Sequence, residues 1–129
     1  YNFKIKNNGN RTYIQQHRTG KFHQHRLSTR LRRYGSVCYS ALVALMENAA
    51  MNAVKPVLPE GSTTVGAMIQ TSHLKPSGLN EEVTATAELT EIEGRKLTFK
   101  VNASDSKGLV GEGTHIRYIV DRERFLSKL

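Results

Sequence analysis

The chain has 129 residues, 38% of them hydrophobic, with one cysteine and a formal charge of +8. This is enough for one domain with its own core, and a single cysteine excludes an internal disulfide framework, so a reducing, cytoplasmic setting is expected. The longest apolar stretch, Ala41 to Met46, is far short of the ~20 residues that span a bilayer, and Tyr1 to Lys6 lacks the apolar centre of a signal peptide.

The charge is unevenly placed. Residues 1–38 hold nine lysines and arginines and no acid, whereas residues 39–129 hold ten basic and eleven acidic side chains. The body is electrically ordinary, and the basic excess belongs to one arm. Tyr1 to Lys6 alternates weakly, as a short strand would, before the turn-like Asn7-Asn8-Gly9-Asn10. The atypical basic segment at about 11–38 follows, and from Arg11 to Gly35 it has neither helical nor strand periodicity.

Ser40 to Val54 predicts a helix with Ser40 as N-cap, ending before Pro56. It is apolar on nearly every side and is expected to be covered all round. Its one acid, Glu47, has Val43, Ala44, Ala50, Met51 and Val54 as helical neighbours. A carboxylate on such a face costs several kcal/mol, roughly, unless it is paired or retained for chemistry. Two readings stand: an acid paired with an arginine or lysine of the sheet, or a catalytic acid or base.

After Pro59-Glu60-Gly61 the period changes to two. Thr64 to Leu74 places Val65, Ala67, Ile69, Thr71 and His73 on one face and Gly66, Met68, Gln70, Ser72 and Leu74 on the other. Gly66 interrupts this strand, where glycine marks either a bulge or close approach of backbone to a ligand. Val83, Ala85, Ala87 and Leu89 point inward, and Glu93-Gly94 turns into Leu97, Phe99, Val101 and Ala103. Asp105 to Gly108 turns into a last strand, Leu109 to Val120, and Asp121 caps a terminal helix, Arg122 to Leu129. One apolar helix followed by four antiparallel strands predicts an α+β fold, a sheet wrapped around a central helix.

Several motifs in fixed order carry a resemblance: Ala41-Leu42-Val43-Ala44-Leu45-Met46-Glu47, Thr64-Val65-Gly66, Ser72-His73, Glu88-Leu89-Thr90-Glu91, Gly94 to Phe99 and Gly111-Glu112-Gly113-Thr114-His115. The chain from about Ala41 to Leu129 resembles the hot-dog-fold thioesterases around fluoroacetyl-CoA thioesterase. The resemblance implies one hot-dog domain over 1–129 and hydrolysis of an acyl-CoA thioester to CoA and a carboxylic acid. It implies no metal or redox cofactor, and a homodimer or tetramer with the site at the subunit interface. A helix acid, a histidine late in the following strand and a hydroxyl residue before the helix would form the catalytic set.

Glu47 and His73 match the first two positions, with Glu47 as base or nucleophile and His73 assisting. Desolvation makes a carboxylate there a stronger base. Where the resemblance expects Thr-Pro, this chain has Tyr39-Ser40, so the hydroxyl would come from Tyr39 or Ser40. The resemblance also places Gly66, Ala67, Gly113, His115 and Arg117 near the substrate, with a solvent-facing pair as the alternative for His115 and Arg117. Lys75, Arg95 and Lys96 are candidates for CoA phosphates.

A displaced reading frame accounts for the departures together. Val37-Cys38-Tyr39-Ser40 can be encoded GTA TGC TAC TCC, which one base later reads Tyr-Ala-Thr-Pro. The same shift can turn Arg30 to Arg33 into Gly-Ser-Gly-Gly.

Two rival functions remain at this level. One is a hot-dog protein that binds acyl-CoA without turnover. The other is nucleic-acid binding through the arm, with Tyr13, Phe22 and Tyr34 stacking on bases, and it ranks last. His23 and His25 lack further ligands nearby for a metal site.

Overall fold

The computed structural model describes residues 39–78 and 81–129, together with the backbone of 20–22. Helix α1 (Tyr39–Val54) leads through a single 3-10 turn, Lys55–Val57, into four strands: β2 (Ser62–His73), β3 (Val83–Glu93), β4 (Lys96–Asp105) and β5 (Gly108–Asp121). A short strand β1 (Gly20–Phe22) precedes the helix and a short helix α2 (Arg122–Leu126) closes the chain. The strands form one antiparallel sheet in the order β1-β3-β4-β5-β2.

The helix lies on the concave side. Ala41, Leu42, Leu45, Met46, Ala49, Ala50, Ala53 and Val54 are buried against Val83, Ala85, Ala87 and Leu89 of β3 and Leu97, Phe99, Val101 and Ala103 of β4. Alternation in β3 and β4 therefore reads as expected, because one face of each strand is wet and the other packs on the helix. Alanines on both surfaces let the helix axis approach the sheet. Leu42 and Met46 lose all their exposure there, and truncating either to alanine costs about 2–5 kcal/mol.

Four expectations change. The helix begins at Tyr39, so Ser40 lies in its first turn and is not the N-cap. It is not covered all round, since Tyr39, Ala44, Asn48 and Met51 are exposed. A three-residue strand, β1, interrupts the basic arm and pairs with β3 from Gly20 opposite Ala85 to Phe22 opposite Val83. The terminal helix stops at Leu126, although Asp121 caps it as expected by accepting from the Arg124 amide at 2.8 Å. Tyr1 to Lys6, the Asn7 to Asn10 turn, His23 and His25, and the side chains of Tyr13, Phe22 and Tyr34 lie outside the described residues.

The strict alternation expected of β2 also fails. Gly66 faces Arg117 of β5 but Met68 faces Ile116, so Ala67 is an extra residue with no opposite number. This β-bulge reverses the side-chain faces. Thr64 is buried before it, and Ile69, Thr71 and His73 are the more covered residues after it, while Gln70 and Ser72 are exposed. Among the described residues β2 has a strand partner only on its β5 side, so the outer edge of all twelve residues is open. No described helix is long and apolar enough to cross a membrane.

Candidate active site

Strand β5 carries His115 and Arg117 two residues apart, so both point to the same face. That face is the helix side: His115 is 1% exposed and Arg117 6%. The solvent-facing alternative for this pair is thereby corrected. A guanidinium can be buried only if its N–H groups and its charge are met. Nε donates to the Thr64 hydroxyl at 2.8 Å, and Nη2 donates to the Thr64 carbonyl at 2.8 Å. Nη1 approaches His115 Nε2 at 3.2 Å.

The protons of His115 follow from these partners. Arginine can only donate, so Nε2 accepts; the Met68 carbonyl, 2.7 Å from Nδ1, can only accept, so Nδ1 carries the proton. The ring is held neutral. Burial is the largest cause of its lowered pKa, and the Arg117 charge adds to it, against opposing contributions from the Met68 carbonyl and Glu47. Arg117 is also lowered by burial, and the Glu47 carboxylate pushes it back up.

Glu47 enters from the helix. It is half-buried at the border between the packed face and the exposed stripe of Ala44, Asn48 and Met51. All three side chains surround one backbone position. A Cβ placed on Gly66 would lie 3.4 Å from Arg117 Nη1, 3.4 Å from His115 Cε1 and 3.5 Å from Glu47 Oε2. The glycine leaves that space open beneath a carboxylate, an imidazole and a guanidinium. Beside it, Ala67 has no partner in β5, so a backbone amide at the open sheet edge is available to a ligand. Gly66 and Ala67 are both exposed. Of the two readings of Gly66, the bulge is what this point of the strand shows.

His73 and Tyr39 form a separate pair at the other end of β2. The Tyr39 hydroxyl donates to the Thr71 carbonyl at 2.7 Å and meets the Thr71 hydroxyl at 2.6 Å. The Tyr39 and His73 rings lie 6.1 Å apart at an interplanar angle of 44°. His73 Nε2 is buried without a hydrogen-bond partner among the described residues. Seven strand positions separate His73 from Gly66, or roughly 20 Å, so one chain does not bring His73 to Glu47. Ser40 is exposed in the first helical turn.

The glycines of β5 meet backbone and core. A Cβ on Gly113 would fall 2.0 Å from the Gln70 carbonyl oxygen and 2.8 Å from Thr71 Cα. Gly113 is therefore a point of close approach between β5 and β2. On Gly111 a Cβ would meet Leu42 at 2.8 Å and the Ser72 carbonyl at 2.9 Å. Lys75, one candidate for the CoA phosphates, pairs with Asp105 at 3.0 Å. The Asp105 side chain is 1% exposed and also accepts from the Ser77 hydroxyl at 2.8 Å and the Lys107 amide at 2.8 Å. Burial raises its pKa, but these donors outweigh it and hold the carboxyl below its usual range. Thr64, Thr71, Asp105 and the Met68 carbonyl were not singled out from the sequence. For Thr64 the signal was its place two residues before Gly66, which puts both on the face that meets Arg117.

The model of the fluoroacetyl-CoA-specific thioesterase family matches residues 33–123. This chain belongs to that family. The fluoroacetyl-CoA thioesterase of Streptantibioticus cattleyicolor is 38% identical over 88 residues, 68% of this chain and 63% of that protein. The chain thus spans less than two thirds of that relative's length. Among solved structures, a fluoroacetyl-CoA thioesterase variant in complex with fluoroacetate superposes with a TM-score of 0.76 at 31% identity, covering 85% of this chain and 90% of that one. A hot-dog-like protein from Thermanaerovibrio acidaminovorans gives a TM-score of 0.75 at 24% identity, over 92% and 87% of the two chains. The fold is the hot-dog fold, as the family resemblance implied, with α1 in the wrap of the sheet.

Proposed function

We propose that this chain hydrolyses acyl-CoA thioesters to CoA and a carboxylic acid, with Glu47 as base or nucleophile. The reading is carried by the convergence of Glu47, Arg117 and His115 on the side-chain-free Gly66, next to an unpaired bulge at an open sheet edge. It is supported by family membership and by the relative named for thioester hydrolysis.

Hydrolysis needs an attacking oxygen, a stabiliser of negative charge on the carbonyl oxygen, and protonation of the thiolate that leaves. With the thioester carbonyl over Gly66, the amide at Ala67 is a donor for the oxyanion. As base, Glu47 takes a proton from water as the water oxygen bonds to the carbonyl carbon. As nucleophile, its own oxygen makes that bond and water then splits the anhydride. In both cases the C–S bond breaks and CoA thiolate takes up a proton. Arg117 opposes the build-up of negative charge beside Glu47, and neutral His115 keeps Arg117 aimed there.

His73 reaches this point from a second copy. Two β2 edges pairing antiparallel about a two-fold axis bring His73 of one copy beside the Gly66–Ala67 bulge of the other. Such pairing also covers an edge that is otherwise a template for association. His73 then delivers the proton to the thiolate, with Tyr39 and its bond to Thr71 holding the histidine ring from behind. The protein works as a homodimer, and its single cysteine suits the cytoplasm.

The test is CoA release from a panel of acyl-CoA thioesters, followed with a thiol-reactive dye on this protein and on Glu47→Ala. Release that falls by at least about a hundredfold in the variant supports the reading. Equal release by both removes Glu47 from the chemistry, and acyl-CoA binding without release makes the chain a binder.

A further inference from the structure

From the geometry we infer that the groove between the end of α1 and the start of β2 is the binding site for the phosphate end of CoA, with Lys55 and Arg122 as its phosphate contacts. The inference rests on the acyl-CoA reading of the Gly66 site and locates a part of the ligand that the site itself does not hold.

The groove encloses about 410 Å³. Met51, Leu58 and Pro59 give it an apolar lining, to which Lys55, Arg122 and Glu60 add charges. Both cations are exposed, and they come from different elements, the 3-10 turn after α1 and the first residue of α2. The groove borders the Gly66 site through two residues. Thr64, which lines it, accepts from Arg117 with both its hydroxyl and its carbonyl oxygen. Met51 lies one helical turn beyond Glu47, on the same side of α1.

Length agrees as well. From Gly66 to Ser62 is four strand positions, or ~13 Å. The pantetheine arm between a CoA thioester and its phosphates is about as long as four extended residues, ~14 Å. An acyl carbonyl over Gly66 therefore brings the phosphates to Lys55 and Arg122, with the arm over Met51, Leu58 and Pro59. Two of the three basic candidates from the sequence are paired with acids: Lys75 with Asp105 at 3.0 Å and Lys96 with Glu93 at 3.9 Å. Glu60 sets the sign of a control, because its charge opposes a phosphate in the same groove.

Titration calorimetry with CoA itself, at low and at high salt, tests the site without requiring turnover. Each of Lys55→Ala and Arg122→Ala is expected to weaken CoA binding about two- to fivefold, and Lys55→Glu with Arg122→Glu at least about tenfold. Glu60→Gln is expected to tighten it. The double variant also flattens the salt dependence. Affinity unchanged by the double variant, Glu60→Gln weaker than the parent, or no binding of CoA by the parent would each overturn the site. Charge-dependent CoA binding without acyl-CoA hydrolysis leaves the groove standing and removes the thioesterase; hydrolysis with CoA affinity indifferent to these charges does the reverse.

Discussion

Gly113→Ala and Gly66→Ala are predicted to fail in opposite ways. At Gly113 the new Cβ would stand 2.0 Å from the Gln70 carbonyl oxygen, where ordinary contact begins at 3.4 Å. Strands β5 and β2 must separate there by about 1.4 Å, and the obstacle is backbone, which cannot rotate aside. A ladder hydrogen bond stretched that far is lost, so the two flanking bonds contribute ~2 kcal/mol of destabilisation. Overpacking adds about 1–3 kcal/mol, for a sum of about 3–5 kcal/mol. In a domain of this size that lowers Tm by roughly 10–20 °C. At Gly66 the Cβ finds neighbours at 3.4 to 3.5 Å, which is ordinary packing, so stability changes by less than about 1 kcal/mol. The methyl nevertheless fills the space between Glu47, His115 and Arg117, and hydrolysis is expected to fall at least about tenfold. Urea unfolding of both variants, with CoA release on the folded fraction, reads the contrast. A Gly113→Ala protein within about 1 kcal/mol of the parent would refute the close approach of the two strands.

Three further expectations follow from the same geometry. Asp105 has a lowered pKa in the fold, so its stabilisation is complete above the unfolded value near 3.8 and is lost as pH falls through the folded one. Asp105→Asn should cost about 1–3 kcal/mol at pH 7, with the gap to the parent closing below about pH 4 in urea titrations. His115 is also lowered, but it is a base held neutral. The unfolded chain binds the proton first, so stability falls as pH drops below about 6.5, and His115→Gln should flatten that slope in thermal melts. Sequencing the gene across codons 24–40 is expected to give Tyr-Ala-Thr-Pro one base on from Val37 to Ser40; codons that cannot yield those residues end the displaced-frame explanation.

Much of this fold is legible because β3 and β4 each bury one face. Val83, Ala85, Ala87 and Leu89, and then Leu97, Phe99, Val101 and Ala103, are all buried as period two requires. Gly94 and Gly108 occupy turns with φ of 61° and 115°, conformations that glycine adopts without strain. The reversal in β2 was not legible, because an inserted residue is defined only against its partner strand, and nothing near Ala67 marks it besides Gly66. The apolar setting of Glu47 singled it out in the sequence, but the side chains it meets came from a strand some seventy residues later. His115 and Arg117 share the parity of Gly111, Gly113 and Ile119, but Ile116, Tyr118 and Val120 made the opposite face look the apolar one. The charges of the pair argued against burial as well, until Thr64 and the Met68 carbonyl were seen to satisfy them.

If the open edge of β2 pairs with a second copy, as proposed, mass action governs this chain. The backbone donors and acceptors on that edge, supplied by alternate residues of β2, meet water at high dilution and, in the proposed dimer, a second copy at high concentration. If a second copy supplies His73, specific activity per molecule falls when stock solutions are diluted below the dissociation constant, and recovers on concentration. The melting temperature then rises with protein concentration as well. Assays run at nanomolar protein and structures studied at millimolar protein would sample different species.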